Sequence, residues 1–572
     1  MLKQDVTIRI GGEGGEGVIS AGDMLAELLA NSYFHVLTHR TYPAEIKGGL
    51  AMIQVRVSAR PLSSQGTEAD VLFAFNDEAV DAYRDVVKND GYLFYDPALA
   101  PQGEAFTGKA FAVPLNQIAK EASGTMRGKN VVAVGVISAL LGLNQERISA
   151  LVAKKFAKKG EKIVENNRLC LEAGWKFADE NLPKLALPEA VATGDSRVMM
   201  NGNTAFSYGV IAGNARFIAG YPITPATSVL ETLSTQLPRF GGKAMQCEDE
   251  IAALAACLGA SFGGVPSVTA TSGPGMCLMS ELLGLAAMTE LPVVVIDVQR
   301  GGPSTGLPTK QEQSDLNFAV YGTPGDVGKI VLAPTSVEDC YYTGIDAAKA
   351  AEVYQTPVIV LSDTTLAVRT QTFTTPDTSK VEVAKPLLAN PEDLGDGWRR
   401  YEDTPSGISP RSIPGMPGGM HTVTGLEHDE TGHAKYTGPN HEKMTLKRAR
   451  KMETFLKAFD RPVEVSKPAG AKLGVIGWGS TFGTIQEALA MGAADGLNVA
   501  HCQLRLVSPL PVEQIRQFVA GLDKVIVVEE NFSGQLAGII RSQMGLDVGS
   551  YAKALCGPIA PEALLSHLKE VR

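Results

Sequence analysis

Leu291-Pro-Val-Val-Val-Ile-Asp-Val298 is a short, almost wholly apolar run that ends in Gln299-Arg300-Gly301-Gly302-Pro303. With no polar alternate positions, such a strand must be covered on both faces, as in a parallel sheet with helices above and below. Arg216-Phe-Ile-Ala-Gly220, Ser267-Val-Thr-Ala-Thr271 and Pro357-Val-Ile-Val-Leu361 repeat the pattern, and the first two are followed by Gly and Pro turn residues. The stretch from about 201 to 366 therefore reads as an α/β block.

The same pattern recurs on either side. Val6-Thr-Ile-Arg-Ile10, Ala69 to Phe75 and Gly91 to Tyr95 read as strands, while Val18 to Leu29 and Val131 to Leu143 have helical spacing. Downstream, from about 370 to 468, periodicity fades into Pro, Gly, Thr, Asp and His (Pro410-Arg-Ser-Ile-Pro-Gly-Met-Pro-Gly-Gly419), until a charged helix at about Glu442 to Phe459. This is expected to be a connector lying over the domains. A third block carries strands at Leu473-Gly-Val-Ile-Gly477, Leu497-Asn-Val-Ala500 and Val525-Ile-Val-Val-Glu529, with helices starting near Phe482 and Val512. The expected fold class is α/β, with three doubly wound domains at 1–190, 198–380 and 469–572 and the connector at 381–468.

Composition limits the possible functions. A chain of 572 residues has room for three or four cores of roughly 150 residues each. A net charge of −10 argues against a nucleic-acid partner. Met1-Leu-Lys-Gln-Asp-Val6 is no signal peptide, and Val131 to Leu143 is too short to span a bilayer, so a cytoplasmic protein with no membrane partner is expected. The seven cysteines (170, 247, 257, 277, 340, 502, 556) form no C-x-x-C pair. No metal or cluster site is therefore expected on this chain.

Gly12-Glu-Gly14-Gly15-Glu-Gly17 follows a strand and opens a helix, the context in which main-chain amides cradle a phosphate. A dinucleotide site also needs an acidic residue at the end of the second strand, but that strand ends His39-Arg40. Two readings stay open. One is a tight turn without ligand; the other is an anionic ligand such as coenzyme A, with His39 and Arg40 as suitable partners. In the central block, four segments follow strand ends, where α/β sheets hold ligands: Tyr221-Pro222-Ile223-Thr224-Pro225, Glu248-Asp249-Glu250, Ser272-Gly273-Pro-Gly275 and Arg300 to Lys310. Together they would present a hydroxyl, a carboxylate, a glycine turn and a guanidinium.

In order, Y-P-I-T-P, E-D-E-I-A-A, T-S-G-P-G and R-G-G-P-S-T-G-L-P-T resemble the alpha subunit of 2-oxoacid:ferredoxin oxidoreductases, most of all the 2-oxoglutarate type with a gamma domain fused ahead of it. So do Tyr42-Pro-Ala-Glu-Ile-Lys47-Gly-Gly49, Gly425-Leu-Glu-His-Asp-Glu-Thr-Gly432 and Glu529-Glu-Asn531-Phe-Ser-Gly534-Gln-Leu536. The resemblance implies a gamma domain, a pyrimidine-type thiamine diphosphate domain and a transketolase C-terminal-like domain. It implies a beta partner that carries the diphosphate, Mg2+ and a [4Fe–4S] cluster, with ferredoxin as acceptor and a dimer of alpha–beta heterodimers. Coenzyme A would take the acyl group, giving succinyl-CoA, and the reverse carboxylation would fix CO2.

It further implies that Glu250, nine residues before Gly259, meets the aminopyrimidine ring. A carboxyl sharing a proton there favours the imino tautomer, whose nitrogen can take the thiazolium C2 proton. Glu248 and Asp249 are expected to be helix N-terminal residues. Thr224, Arg300 and Thr309 are implied to contact substrate, and Arg300 can pair with a carboxylate bidentately; Lys310 is a candidate for a distal carboxylate. Tyr221, Pro222, Ile223, Ser272 and Gly273 would line the cofactor, and Gly12, Gly14, Gly15, Gly17, Arg40 and Lys47 would meet coenzyme A. Gly395-Asp-Gly397 lacks the strand before it and the Asn after it that a diphosphate motif needs, and Glu427 to His433 is expected to be a solvated loop or interface. The alternatives are a non-redox thiamine diphosphate enzyme, a pyruvate or branched-chain specificity, and a nucleotide-binding scaffold.

Overall fold

The computed structural model describes residues 5–43, 48–106, 108–185, 187, 190, 194–383 and 385–572. They form two compact units. One runs to Met200 and includes Arg369–Thr375 and Ala560–Glu562; the other holds Asn201–Val368, Pro376–Ile559 and Ala563–Arg572.

The first unit is built on an eight-stranded sheet. Its strand Asp5–Glu13 runs parallel to Ala69–Ala74 and antiparallel to Leu50–Ser58. Ile8, Ile10, Val55 and Phe73 pack with Met24 and Leu25 of helix Val18–Asn31 and with helix Lys129–Leu140. The latter is buried from Val131 through Leu140, as its continuous apolar run requires. On the opposite sheet face, Leu72, Ala74 and Leu93 meet Ala79 and Val80 of helix Asp77–Tyr83. Helices on both faces make the unit doubly wound.

The sheet also takes in Thr370–Thr374, antiparallel to His35–Thr41, with Val36 N donating to Thr372 Oγ1 at 2.9 Å. Sequence patterning grouped these residues with the central block. They join the first unit through threonine hydroxyls and main-chain bonds, which leave no apolar periodicity to read.

In the second unit, a seven-stranded sheet has the order Leu506–Ser508, Ile330–Leu332, Pro357–Asp363, Val293–Gln299, Ser267–Thr271, Phe217–Gly220, Lys243–Gln246. All pairs are parallel except Leu506–Ser508 against Ile330–Leu332. A five-stranded sheet follows, centred on Leu473–Trp478 and Lys524–Glu529. One apolar core serves both sheets, with Ala219, Val295 and Ile359 in the same cluster as Trp478, Leu504 and Ile540.

The connector belongs to this unit, and it is anchored inside rather than draped over it. Tyr401, Arg400 and Arg411 are buried, and Arg411 pairs with Glu352 at 2.9 Å. Helix Gly438–Ala458 buries Lys447 and Lys451 against Glu290. Charges paired in this way look like solvated residues in a sequence. No helix among the described residues is long and apolar enough to cross a membrane.

Candidate active site

The carboxyl ends of the central strands converge because parallel register aligns them: Gly220 lies opposite Gln246, Thr271 opposite Asp297, and Gln299 opposite Asp363. After the edge strand Lys243–Gln246, the chain turns into helix Glu250–Phe262. Asp249 caps that helix, accepting Ala252 N at 2.8 Å, and Asp249 and Glu248 are exposed. Glu250 is only 5% exposed and points the other way, with Oε1 3.5 Å from the Thr271 hydroxyl. Helix geometry thus buries Glu250 and leaves Glu248 and Asp249 exposed at the helix start.

Gly275 makes room for this carboxylate. A Cβ there would lie 2.3 Å from Glu250 Oε1 and 2.1 Å from Thr271 Oγ1. Ser272 begins the short helix Gly273–Leu278, and its buried hydroxyl has no hydrogen-bond partner among the described residues.

Arg300 is 6% exposed and reaches across the sheet end. Its Nη1 donates to Thr224 O at 2.7 Å and Nη2 to Thr305 O at 3.1 Å, while Nε has no partner among the described residues. Burial lowers its pKa, and Asp315 and Glu250 oppose that shift. Arg300 is thus joined to the Thr224 loop through a main-chain carbonyl. Asn203, which sequence reading missed, holds the Thr224 loop by donating to Pro225 O (2.9 Å) and Ser228 Oγ (2.8 Å). Thr309 and Lys310 are half-buried on the hairpin that closes through Gly301 N to Lys310 O (3.0 Å) and Leu307 N to Gly301 O (2.8 Å).

The segment after this hairpin is locked to the C-terminal sheet. Gln311 donates to Glu530 Oε2 at 2.7 Å and to Ser480 Oγ at 3.2 Å. Gln313 N donates to Glu530 O (2.6 Å), Asn531 Nδ2 to Gln313 O (3.1 Å) and Gln535 Nε2 to Ser314 O (2.7 Å). The Glu529-to-Leu536 motif therefore has a definite task, to hold the Arg300 segment in place. Beside it lie two carboxyls absent from the sequence reading. Both oxygens of fully buried Asp297 lack hydrogen-bond partners among the described residues, and burial together with Asp315 pushes this carboxyl well up. Burial and Glu312 push Asp315 up to about 7, against the pull of Arg300.

The rim of this site is apolar and open. Tyr221, Met245, Ile251, Leu278 and Leu307 are exposed, as is the whole edge strand Lys243–Gln246.

In the first unit, Gly15 (φ 101°) and Gly17 (φ 85°) take the left-handed conformation that the turn into helix Val18–Asn31 requires. Gly14 N donates to Gly49 O at 2.8 Å, and a Cβ on Gly12 would meet Glu16 and Phe75 at 2.8 Å. Arg40 is occupied by Asp23 (2.9 Å) and by Thr38 and Thr370 hydroxyls. Lys47 lies outside the described residues. The cavity beside Gly15 and Gly17, about 640 Å³, presents Arg127 and Lys159 instead, two cations that no motif singled out. In the connector, His428 is buried between the carbonyls of Asp429 and Met288, so it belongs to the core and not to a solvated loop. Asp396, in Gly395-Asp-Gly397, is exposed in a turn.

Residues 208–447 match the family model described as pyruvate flavodoxin/ferredoxin oxidoreductase, thiamine diphosphate-binding. Residues 7–177 match pyruvate ferredoxin/flavodoxin oxidoreductase, and 471–559 match pyruvate:ferredoxin oxidoreductase core domain II. The fold and site are thus those of a thiamine diphosphate-binding oxidoreductase subunit. The chain is 36% identical to 2-oxoglutarate oxidoreductase subunit KorA of Mycobacterium tuberculosis, over 96% of this chain and 89% of that one. It is 30% identical to 2-oxoacid:ferredoxin oxidoreductase 2 subunit alpha of Aeropyrum pernix, over 95% and 94%. The solved 2-oxoglutarate:ferredoxin oxidoreductase of Magnetococcus marinus, with 2-oxoglutarate, coenzyme A and succinyl-CoA bound, superposes with a TM-score of 0.92 at 42% identity, covering 99% of each chain. The chain belongs to the 2-oxoacid:ferredoxin oxidoreductase family, as an alpha subunit.

Proposed function

We propose that this chain is the alpha subunit of a 2-oxoglutarate:ferredoxin oxidoreductase, converting 2-oxoglutarate, coenzyme A and two oxidised ferredoxins into succinyl-CoA, CO2, a proton and two reduced ferredoxins. The observation that carries this reading is the buried Glu250 carboxylate, seated against Gly275 at the same sheet end as Arg300 and Thr224. Thiamine diphosphate, when bound, supplies the electron sink for decarboxylation. The residues fit it: the buried Glu250 carboxylate and the orphaned Ser272 hydroxyl are polar groups left with little or no protein partner at this sheet end.

In this reading Glu250 would hold the cofactor's ring through a shared proton, and its burial beside one weak hydroxyl contact shields the carboxylate from water. Tyr221, Pro222, Ile223, Ser272 and Gly273 would line the cofactor. Arg300 clamps the substrate carboxylate with the donor capacity left on its guanidinium, and the Thr224 hydroxyl orients the oxo group. Thr309, with Lys310 for the distal carboxylate, borders the rest of the substrate. The open apolar rim suits a partner, a beta subunit bringing the diphosphate site, Mg2+ and the [4Fe–4S] cluster that scattered cysteines cannot hold. Ferredoxin is the acceptor, and the assembly is a dimer of alpha–beta heterodimers in the cytoplasm. Coenzyme A approaches the Gly12–Gly17 turn, where Arg127 and Lys159 suit its phosphates better than Arg40.

A specific observation also favours pyruvate, since all three matching family models carry that name. The test is coenzyme A-dependent viologen reduction by the chain co-purified with its partner. Greater kcat/KM for 2-oxoglutarate than for pyruvate is expected, and Glu250→Ala should assemble normally yet lose turnover. Near-normal activity in that variant would overturn the assignment.

A further inference from the structure

Away from the Glu250 site, helix Gly438–Ala458 turns His441, Thr445, Arg448 and Lys451 onto a cavity of about 240 Å³. The remaining wall comes from Pro324–Gly328, from Gly284, Ala287 and Met288, and from Gln355 and Thr356, with Lys451 Nζ donating to Gln355 O at 3.1 Å. Charge here is out of balance. Glu290 is the single carboxylate facing three buried cations: Lys447 (2.6 Å), Lys451 (2.5 Å) and Arg400, whose Nη2 donates to the Glu290 carbonyl (3.0 Å). Lys329, at the end of the same loop, is also buried and donates to the Thr323 hydroxyl (2.9 Å), with burial lowering it to about 8 and no acidic neighbour opposing. At the mouth, Arg448 and His441 share Glu427, and Asp326 is exposed. Five basic side chains thus cluster with three carboxylates in and around the cavity, and Arg448 and Lys451 are the two that line it.

A buried excess of cations must either shed protons or take in an anion. Burial already draws Lys451 down to about 7, even with Glu290 beside it. The N–H groups of Gly325, Asp326, Val327 and Gly328 make no hydrogen bond among the described residues, so donors remain for a ligand. Gly325 holds φ 75°, which shapes the loop around the opening.

We propose that this cavity is a binding site for a small phosphate-type oxyanion, held by Lys451, Arg448 and Thr445. The ligand neutralises the buried excess and ties the connector helix to helix Ser280–Met288. The chemistry is shared by free phosphate and by a phosphate monoester of a small metabolite. None of the residues proposed for thiamine diphosphate or substrate lines the cavity.

The test is equilibrium dialysis of the complete enzyme against labelled inorganic phosphate and, separately, glycerol 3-phosphate at pH 7. Saturable binding of at least one, near one per chain, is expected, with affinity falling at least tenfold in Lys451→Met and in Thr445→Val. Tighter binding of phosphate identifies the free ion, and tighter binding of the ester identifies a metabolite. Thr445→Val, a change on a half-buried helix position, should fold and turn over 2-oxo acid as the wild type does. Absence of saturable binding by either anion, or wild-type affinity in both variants, would overturn the proposal without touching the active-site reading.

Discussion

The Gln311 side-chain amide donates to Glu530 Oε2 at 2.7 Å, joining the end of the Arg300 hairpin to a residue 219 positions later. Leaving a buried donor unsatisfied costs about 1–3 kcal/mol. Gln311→Leu and Glu530→Gln should each raise KM for the 2-oxo acid several-fold while leaving kcat less affected. In a double-mutant cycle the pair should be clearly non-additive. Additive effects would show that the contact does not position the loop.

Gly275→Ala tests the cradle. The added methyl would collide with Glu250 and Thr271, so the carboxylate must move. A displacement of about 1 Å at a reacting group costs on the order of a hundredfold in rate. Turnover should fall by about that factor, with the chain still folded and assembled, as judged by circular dichroism and size-exclusion chromatography.

Arg300→Lys keeps the charge and loses the fork. Lysine cannot bond Thr224 O and Thr305 O and also present paired donors to a carboxylate. KM should rise by at least about tenfold, consistent with a lost charge-assisted bond. An unchanged KM would remove Arg300 from the substrate site.

The Asp297–Asp315 pair should make stability depend on pH. Asp315 is raised to about 7 from an unfolded value of about 3.9, so the folded state holds its proton more tightly. Its contribution is therefore complete below about pH 4 and is lost as pH rises through about 7. Melting curves from pH 5 to 9 should show wild type losing stability over that range. Asp315→Asn should lose less and melt higher than wild type at pH 8.

Glu290 is the anchor of the connector. Removing one partner of a buried charge group leaves the others uncompensated, at about 3–5 kcal/mol. Glu290→Gln should destabilise the chain by that order in denaturant titrations, with Lys447, Lys451 and Arg400 left facing one another.

Much of the site could be read in the residues. Motif order located Glu250, Thr224 and Arg300 at strand ends, and strand ends converge in a parallel sheet whatever the detail of the packing. The separation of Glu250 from Glu248 and Asp249 was also legible, because one residue must cap the helix and the next then turns inward. The partner of Arg40 was not legible: a basic residue after a strand looks like a phosphate ligand, and in the fold Asp23, seventeen positions earlier, pairs with it. Asn203, Asp297 and Asp315 left no signal, because their surroundings are set by the folded chain and not by any motif around them.

Apolar patterning by itself determined three α/β sheets, their strand ends and the buried helix Lys129–Leu140, because burial on both faces needs unbroken apolar runs. Only the tertiary structure decided that Thr370–Thr374 joins the first sheet, that Arg400, Tyr401 and Arg411 anchor the connector in the core, and that Glu530 holds the Arg300 segment. Those outcomes rest on polar groups whose energy comes from being paired out of water. A polar residue looks the same in sequence whether its partner is water or a side chain two hundred positions away.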